Sequence, residues 1–328
     1  MARLTKRELI GVVAETTQGT FATAGFTSAN TVAGACYFWA EGVEITLNSE
    51  NLERNYYRNT MDPIAIVKGK KSAEIKFKTE LVYTAASTET AAMSAIFNAC
   101  GLVGAANVYA PISVPPSTSY SGLSKSCSIE VYKDGAKHQF RGCVGDIKIS
   151  YEAGKIVMIE CSFKGQLIAS TNFAVTSALP TVHYLNKVSG VLNIVAKAVP
   201  FTFDSYGDFI VPKIEISMGN EIVERTNIEE ANGVAGFSII GRKPMMNISI
   251  EATTFATYDL LNSFENATEA AATIGAANAT NGYLINMPAA QVISANYTDI
   301  GGILGHDVGF QLNTDAADDC ITITETES

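Results

Sequence analysis

Basic charge is scarce in this chain. Its 328 residues carry 23 Lys and Arg against 33 Asp and Glu, a formal net charge of −10. Such a surface repels a polyanion, which excludes a protein that grips nucleic acid through its phosphates. It does not exclude a conduit, which must avoid holding what passes through it. Charge of either sign is thin, at 17%, while hydrophobic residues make up 47%. That balance builds a buried core and excludes a disordered chain. The three histidines (His138, His183, His306) and six cysteines (Cys36, Cys100, Cys127, Cys143, Cys161, Cys320) are scattered, with no Cys-x-x-Cys pair. Neither set has metal-ligand spacing. Cys127 and Cys161 stand where an alternating strand wants an apolar residue, so the cysteines read as reduced core thiols. No stretch reaches the roughly 18 apolar residues that span a bilayer. The charged start, Met1 to Glu8, leads into no apolar signal core, so the chain is expected to be made in a cytoplasm.

Catalytic patterns are missing as well. Gly69-Lys70-Lys71 lacks the rest of a phosphate-binding loop, and no Gly-x-Ser-x-Gly elbow occurs. His306 and Asp307 are neighbours on a predicted strand, so their side chains point to opposite faces. The Asn-x-Ser/Thr matches at Asn247, Asn266, Asn278 and Asn296 read as chance without a secretion signal. Trp39 reads as a core aromatic near a strand start. The chain is read as a non-enzyme with no catalytic residue, cofactor or metal.

What is present is a repeat. Residues 43–54, Val-Glu-Ile-Thr-Leu-Asn-Ser-Glu-Asn-Leu-Glu-Arg, are answered by 214–225, Ile-Glu-Ile-Ser-Met-Gly-Asn-Glu-Ile-Val-Glu-Arg. Gly69-Lys70-Lys71 is answered by Gly241-Arg242-Lys243. A spacing near half the chain length points to a duplicated domain. Val43, Ile45 and Leu47 alternate with Glu44 and Thr46, and Ala73, Ile75, Phe77 and Leu81 with Glu74, Lys76, Lys78 and Glu80. These are half-buried strands. Long connections are predicted between the strands, over 48–68 and 219–240, and loops of that length are usually functional.

A helix is predicted after each strand pair. Ser87 or Thr88 caps the first, whose stripe is Ala92, Met93, Ile96, Phe97 and Cys100 before Gly101. The second is placed near 254–264 with Tyr258, Leu261 and Phe264. Hairpins close each half, through Lys133-Asp134-Gly135, Glu152-Ala153-Gly154-Lys155 and a turn near 298–302. Residues 320–323 form a short final strand. Residues 1–30 read as an extended arm. The Ser-, Thr- and Asn-rich stretch at 170–185, with Pro180, marks the boundary between 31–178 and 179–328.

These residues resemble the tail tube (major tail) proteins of long, non-contractile-tailed bacteriophages. The resemblance covers nearly the whole chain. It rests on Ala14-Glu15-Thr16-Thr17-Gln18-Gly19-Thr20, on the strand–loop–strand around Glu50-Asn51-Leu52-Glu53-Arg54, on the second copy ending Gly241-Arg242-Lys243-Pro244, and on the acidic turn 315–319 before Ile321-Thr322-Ile323. It implies a mainly β fold with two tandem β-sandwich or rolled-barrel domains, each with a flanking helix and a long inter-strand loop. It also implies rings, trimeric and pseudo-hexameric for a duplicated chain, that stack into a tube through which DNA is ejected. The implied partners are the chain itself, a tape-measure protein, the tail tip complex and a tail terminator. The implied location is the virion tail, assembled in the bacterial host cytoplasm, with DNA passing through unbound.

Open strand edges are templates for pairing with another chain, and head-to-tail stacking of rings yields a filament. The lumen candidates are the polar strand faces: Glu44, Glu74, Lys76, Lys78, Glu80, Glu215 and Glu251, where Glu outnumbers Lys five to two. The candidates for contacts between subunits or rings are Glu15 and Thr17 in the arm, Glu50, Glu53, Arg54, Tyr56, Tyr57 and Arg58 in the first loop, and Glu221, Glu224 and Arg225 in the second. Deleting residues 2–25 is expected to spare the β core and impair tube growth. The competing readings are a tail terminator or other ring that does not polymerise, and a phage-surface adhesion module.

Overall fold

The computed structural model describes residues 8–28, 36–54, 56, 57, 59, 60, 62–81, 91–105, 108–113, 124–173, 196, 199–275 and 282–326. The first half holds β1 (Glu8–Ala14), α1 (Thr23–Ser28), β2 (Tyr37–Phe38), β3 (Glu41–Leu52), β4 (Val67–Glu80), α2 (Ala91–Ala99), β5 (Leu102–Ala105), β6 (Val108–Pro111), β7 (Cys127–Lys133), β8 (Ala136–Glu152) and β9 (Met158–Asn172). The second holds β10 (Phe201–Phe203), β11 (Lys213–Ser217), β12 (Asn220–Thr226), β13 (Val234–Arg242), β14 (Met245–Glu251), α3 (Leu260–Glu265), β15 (Glu269–Ile274), β16 (Gly282–Ile300), β17 (Ile303–Asn313) and β18 (Thr322–Thr326). The fold is mainly β, as the period-2 alternation predicts.

One antiparallel path runs β1-β7-β8-β9-β4-β3. A second runs β10-β15-β16-β17-β14-β11 in the same order of chain positions. The two are joined within one sheet, because β11 pairs with the end of β8 from Ser217↔Lys148 to Lys213↔Glu152. The final strand β18 bridges β16 to β6 of the first half. The halves therefore share one core, in which Phe77, Cys161, Phe163 and Ile149 lie in the same apolar cluster as Ile216, Met246, Phe310 and Val308. The boundary expected at 178/179 lies outside the described residues.

Several expectations are corrected. The first predicted connection is shorter than expected, because β3 runs on to Leu52 and β4 starts at Val67. The second is the hairpin β12–β13. In both stretches solvent reaches much of the surface, so side-chain alternation is weak and the backbone ladder leaves little trace in the sequence. Each carries a bulge at a matching place, between Ser49 and Asn51 and between Glu221 and Ile222. A Cβ on Gly69 would lie 3.1 Å from a carboxylate oxygen of Glu50, and one on Gly241 would lie 3.2 Å from one of Glu221.

The expected arm is folded. β1 pairs along its whole length with β7 and is flanked by β2, and Leu9, Ile10 and Val12 are buried. Deleting residues 2–25 would strip an inner strand, so the expectation that the core survives this truncation is withdrawn.

Helix α2 buries Met93, Ile96, Phe97 and Cys100 as predicted, and Gly101 ends it at φ +81. The expected caps Ser87 and Thr88 lie outside the described residues. Helix α3 differs. It has six residues, is capped by Asp259 accepting from the Asn262 amide at 3.0 Å, and turns Leu260 and Ser263 inward while Phe264 is exposed. Six residues are too short for the expected stripe. Tyr258 instead precedes the helix and stacks on Tyr206, with centroids 5.3 Å apart.

Candidate assembly surfaces

Eight strands form a continuous antiparallel run, β3-β4-β9-β8-β11-β14-β17-β16. Because alternate residues share a face, one face of this run is core. The other gathers Glu44 opposite Lys76, Lys76 opposite Ser162, Lys78 and Lys148 opposite Glu160, and Glu215 opposite Asn247. All seven residues named above for a lumen fall on this face, with Glu80 and Glu251 at matching positions of β4 and β14. Glu44, Glu74, Glu80, Glu152, Glu160, Glu215, Glu251 and Asp307 face outward there against Lys76, Lys78, Lys148, Lys164 and Lys213, so eight acids meet five bases, while Asp146 is half-buried and accepts from the Asn220 amide at 3.1 Å.

The charges interleave. Lys76 reaches Glu74 at 3.1 Å, Lys78 reaches Glu160 at 3.3 Å, and both Lys148 and Lys213 reach Glu215 at 2.8 Å. The Lys148 and Lys213 ammonium groups hold the Glu215 carboxyl below its ordinary range. Burial, aided by Glu41, pushes Glu80 up. The face is acidic, and four of its five lysines, Lys76, Lys78, Lys148 and Lys213, are already engaged.

The two hairpins at one end of the sheet behave differently. The β3–β4 tip stands clear: Leu47, Leu52, Tyr56, Tyr57, Ile66 and Val67 are all exposed. Of the residues expected to make contacts there, Glu50 lies on β3 and Glu53 is exposed, while the Arg54 guanidinium donates to the Ala65 carbonyl at 2.9 Å across the loop. Arg58 lies outside the described residues.

The β12–β13 hairpin folds back on the first half of its own chain. Val234 and Phe237 pack on Val144, Gln166 donates to the Val234 carbonyl, and Gln18 donates to that of Phe237 at 2.6 Å. Glu224 takes Lys70 at 3.0 Å, so this expected contact residue is engaged inside the chain. Glu221 and Arg225 remain exposed on β12.

Glu15, expected at a contact between rings, is buried. Its carboxylate accepts from Ser126 Oγ at 2.5 Å, Ser128 Oγ at 2.8 Å, and the amides of Gly142 and Gly19 at 2.8 Å each. The turn through Thr17, which is exposed, bends back so that Gly19 at φ +78 offers its amide. The spacing from Glu15 to Gly19 was the available signal. Glu130 went unmarked in the sequence because strand alternation put it on a solvated face. It is buried and takes Lys137 at 2.7 Å, Gln139 at 2.8 Å, Tyr37 at 2.9 Å and Tyr132 at 3.1 Å. Both carboxylates lock elements together rather than present chemistry.

Two edges of the eight-strand run are open among the described residues. β3 pairs only with β4. β16 pairs with β17 along one side, but its other side is taken by β18 and β15 only as far as Gln291. Among the described residues no group of three His, Cys, Asp or Glu side chains is placed to hold a metal ion, and no helix is long and apolar enough to cross a membrane. A family model described as phage tail tube protein matches residues 5–311. No curated protein gives a significant match.

Proposed function

The chain belongs to the phage tail tube protein family, which makes it a structural component of the phage tail, and on that premise we propose that its copies close into rings that stack into the conduit for DNA ejection. The observation that carries the proposal is the eight-strand run made of two matching paths, with an open edge at each end. A surface whose two complementary edges lie on opposite sides makes a head-to-tail contact, which closes into a ring if the rotation allows. Two matching paths per chain give a ring of three chains the look of six units. The acidic polar face then lines the bore, where fixed negative charge keeps DNA from adhering. The exposed β3–β4 tip, with Tyr56 and Tyr57, and the exposed residues Glu221 and Arg225 of β12 meet the next ring. A tape-measure protein fills the bore during assembly, a tip complex starts the tube and a terminator ends it. Assembly takes place in the host cytoplasm.

Electron microscopy of the purified chain at rising concentration tests this. Stacked rings of three chains with six lobes around an open bore are expected. Six chains per ring would keep the tube and remove the role given to the paired paths. A chain that forms neither rings nor tubes would count against the whole reading.

A further inference from the structure

We infer that the open edge of β16 receives β3 of a second copy in the register of the internal β8–β11 seam, with Glu44 opposite Thr298, Ile45 opposite Tyr297 and Thr46 opposite Asn296. This rests on the ring reading above and specifies its contact. The register follows from the two strand paths. In the first, Thr79 pairs with Ile159 and Ile159 with Ile149. In the second, Ile250 pairs with His306 and His306 with Tyr297. Tyr297 therefore occupies the place of Ile149. Likewise Ile45 opposite Ile75 occupies the place of Ile216 opposite Met246. At the internal seam Ile216 lies opposite Ile149 and Ser217 opposite Lys148, and substituting the counterparts yields the register stated.

Exposure agrees. Ile149 and Met218 are covered at the internal seam, each 2% exposed, while their counterparts Tyr297 and Leu47 are 59% and 56% exposed. A matching strand laid on each edge supplies the missing cover. The backbone is also ready. Met218 donates its amide to the Ile147 carbonyl at 3.2 Å, so Leu47 has the Ala295 carbonyl as its counterpart partner. Strands alternate in direction through the eight, so β3 of a second copy meets β16 antiparallel, as β11 meets β8. Lys133 occupies the Val43 carbonyl at 2.6 Å, so the new ladder begins at Glu44. One difference is informative. The Lys148–Glu215 ion pair crosses the internal seam at 2.8 Å, but its counterparts are Asn296 and Glu44, which cannot form one. The seam between copies has the same shape and less charge attraction.

Paired cysteines in the full chain test the register. Residues directly opposite have Cβ atoms about 4.5–5.5 Å apart, and those offset by two about 7–8 Å, so a disulfide forms readily only in register. The native cysteines among the described residues are buried and give little background. Mild oxidation of the variant carrying T46C and N296C is expected to give reductant-sensitive multimers ending at three chains. The variant carrying T46C and T298C is expected to link far less. If the reduced first variant melts early, E44C with T298C carries the same test. Rings or tubes by microscopy with no link, or with links only in the offset variant, would overturn the register and leave the ring reading intact. Monomers throughout, in variants and unmodified chain alike, would overturn both.

Discussion

Lys148 and Glu215 stand 2.8 Å apart where the two halves of the chain meet, one on β8 and the other on β11. Lys213 closes on the same carboxylate. Glu215 is thus more acidic in the folded chain than its ordinary value of 4.5. Its contribution is complete above that value and is lost as pH falls through the lowered folded one. Glu215→Gln is expected to cost about 1 kcal/mol near neutrality, because the pair is partly solvated. The gap in melting temperature between the two proteins should close in acid. A gap independent of pH would refute the electrostatic account.

Glu15 predicts a larger loss. Glu15→Ala removes the acceptor of four hydrogen bonds in a buried site. With buried donors left unpaired at about 1–3 kcal/mol each, and partial relief by relaxation and water, a loss of about 3 kcal/mol is expected. Ser126→Ala should cost only about 1 kcal/mol. Urea unfolding midpoints of the two variants check the order.

Removing residues 2–25 should damage the core. Leu9, Ile10 and Val12 are buried, and full burial of such side chains contributes about 1.5–3 kcal/mol each. Their loss approaches the net stability of an ordinary domain, about 5–15 kcal/mol. Circular dichroism of the truncated chain should show reduced strand content or a much lower melting point. A native melting curve would show that β1 is dispensable.

The cysteines should be silent in the native state. All six are free and buried, and burial pushes the Cys36 thiol up to about 11 and those of Cys100, Cys127 and Cys143 well above their ordinary value. Thiolate is the reactive form. An aromatic disulfide reagent should therefore label the native chain slowly and titrate six thiols after unfolding. Rapid native labelling would contradict the packing.

Substitutions at the β3–β4 tip should separate folding from assembly. Tyr57 is fully exposed, so Tyr57→Ala should change unfolding free energy by no more than about 0.5 kcal/mol. Under the proposed function it should still lower the amount of sedimenting polymer. Unchanged polymer would remove the tip from the stacking contact.

Much of the fold was legible because core strands repeat with period 2. Ile75 and Phe77, or Ile147 and Ile149, alternate with charged neighbours, and Asp134-Gly135 and Gly154 mark turns that the structure uses. The strands that went unread share one cause. Asn48 to Leu52 and Asn220 to Thr226 lie largely in solvent, so backbone pairing there imposes no strong choice of side chain and strands read as loops. Glu15 failed for the opposite reason, since four donors brought from Ser126, Ser128, Gly19 and Gly142 make a buried carboxylate stable, and three of them are distant in sequence.

The sequence by itself determined a mainly β chain, an acidic surface, a motif that occurs twice, and which face of each strand is polar, because these follow from local period and composition. Only the tertiary structure decided that the two halves join through β8 and β11 into one sheet with one core. It also decided that β12–β13 folds home while the tip of β3–β4 stands clear, and that among the described residues the unpaired edges fall at β3 and β16. Those outcomes depend on which distant strands satisfy each other's backbone hydrogen bonds, and a ladder between distant strands leaves no periodic mark on either one.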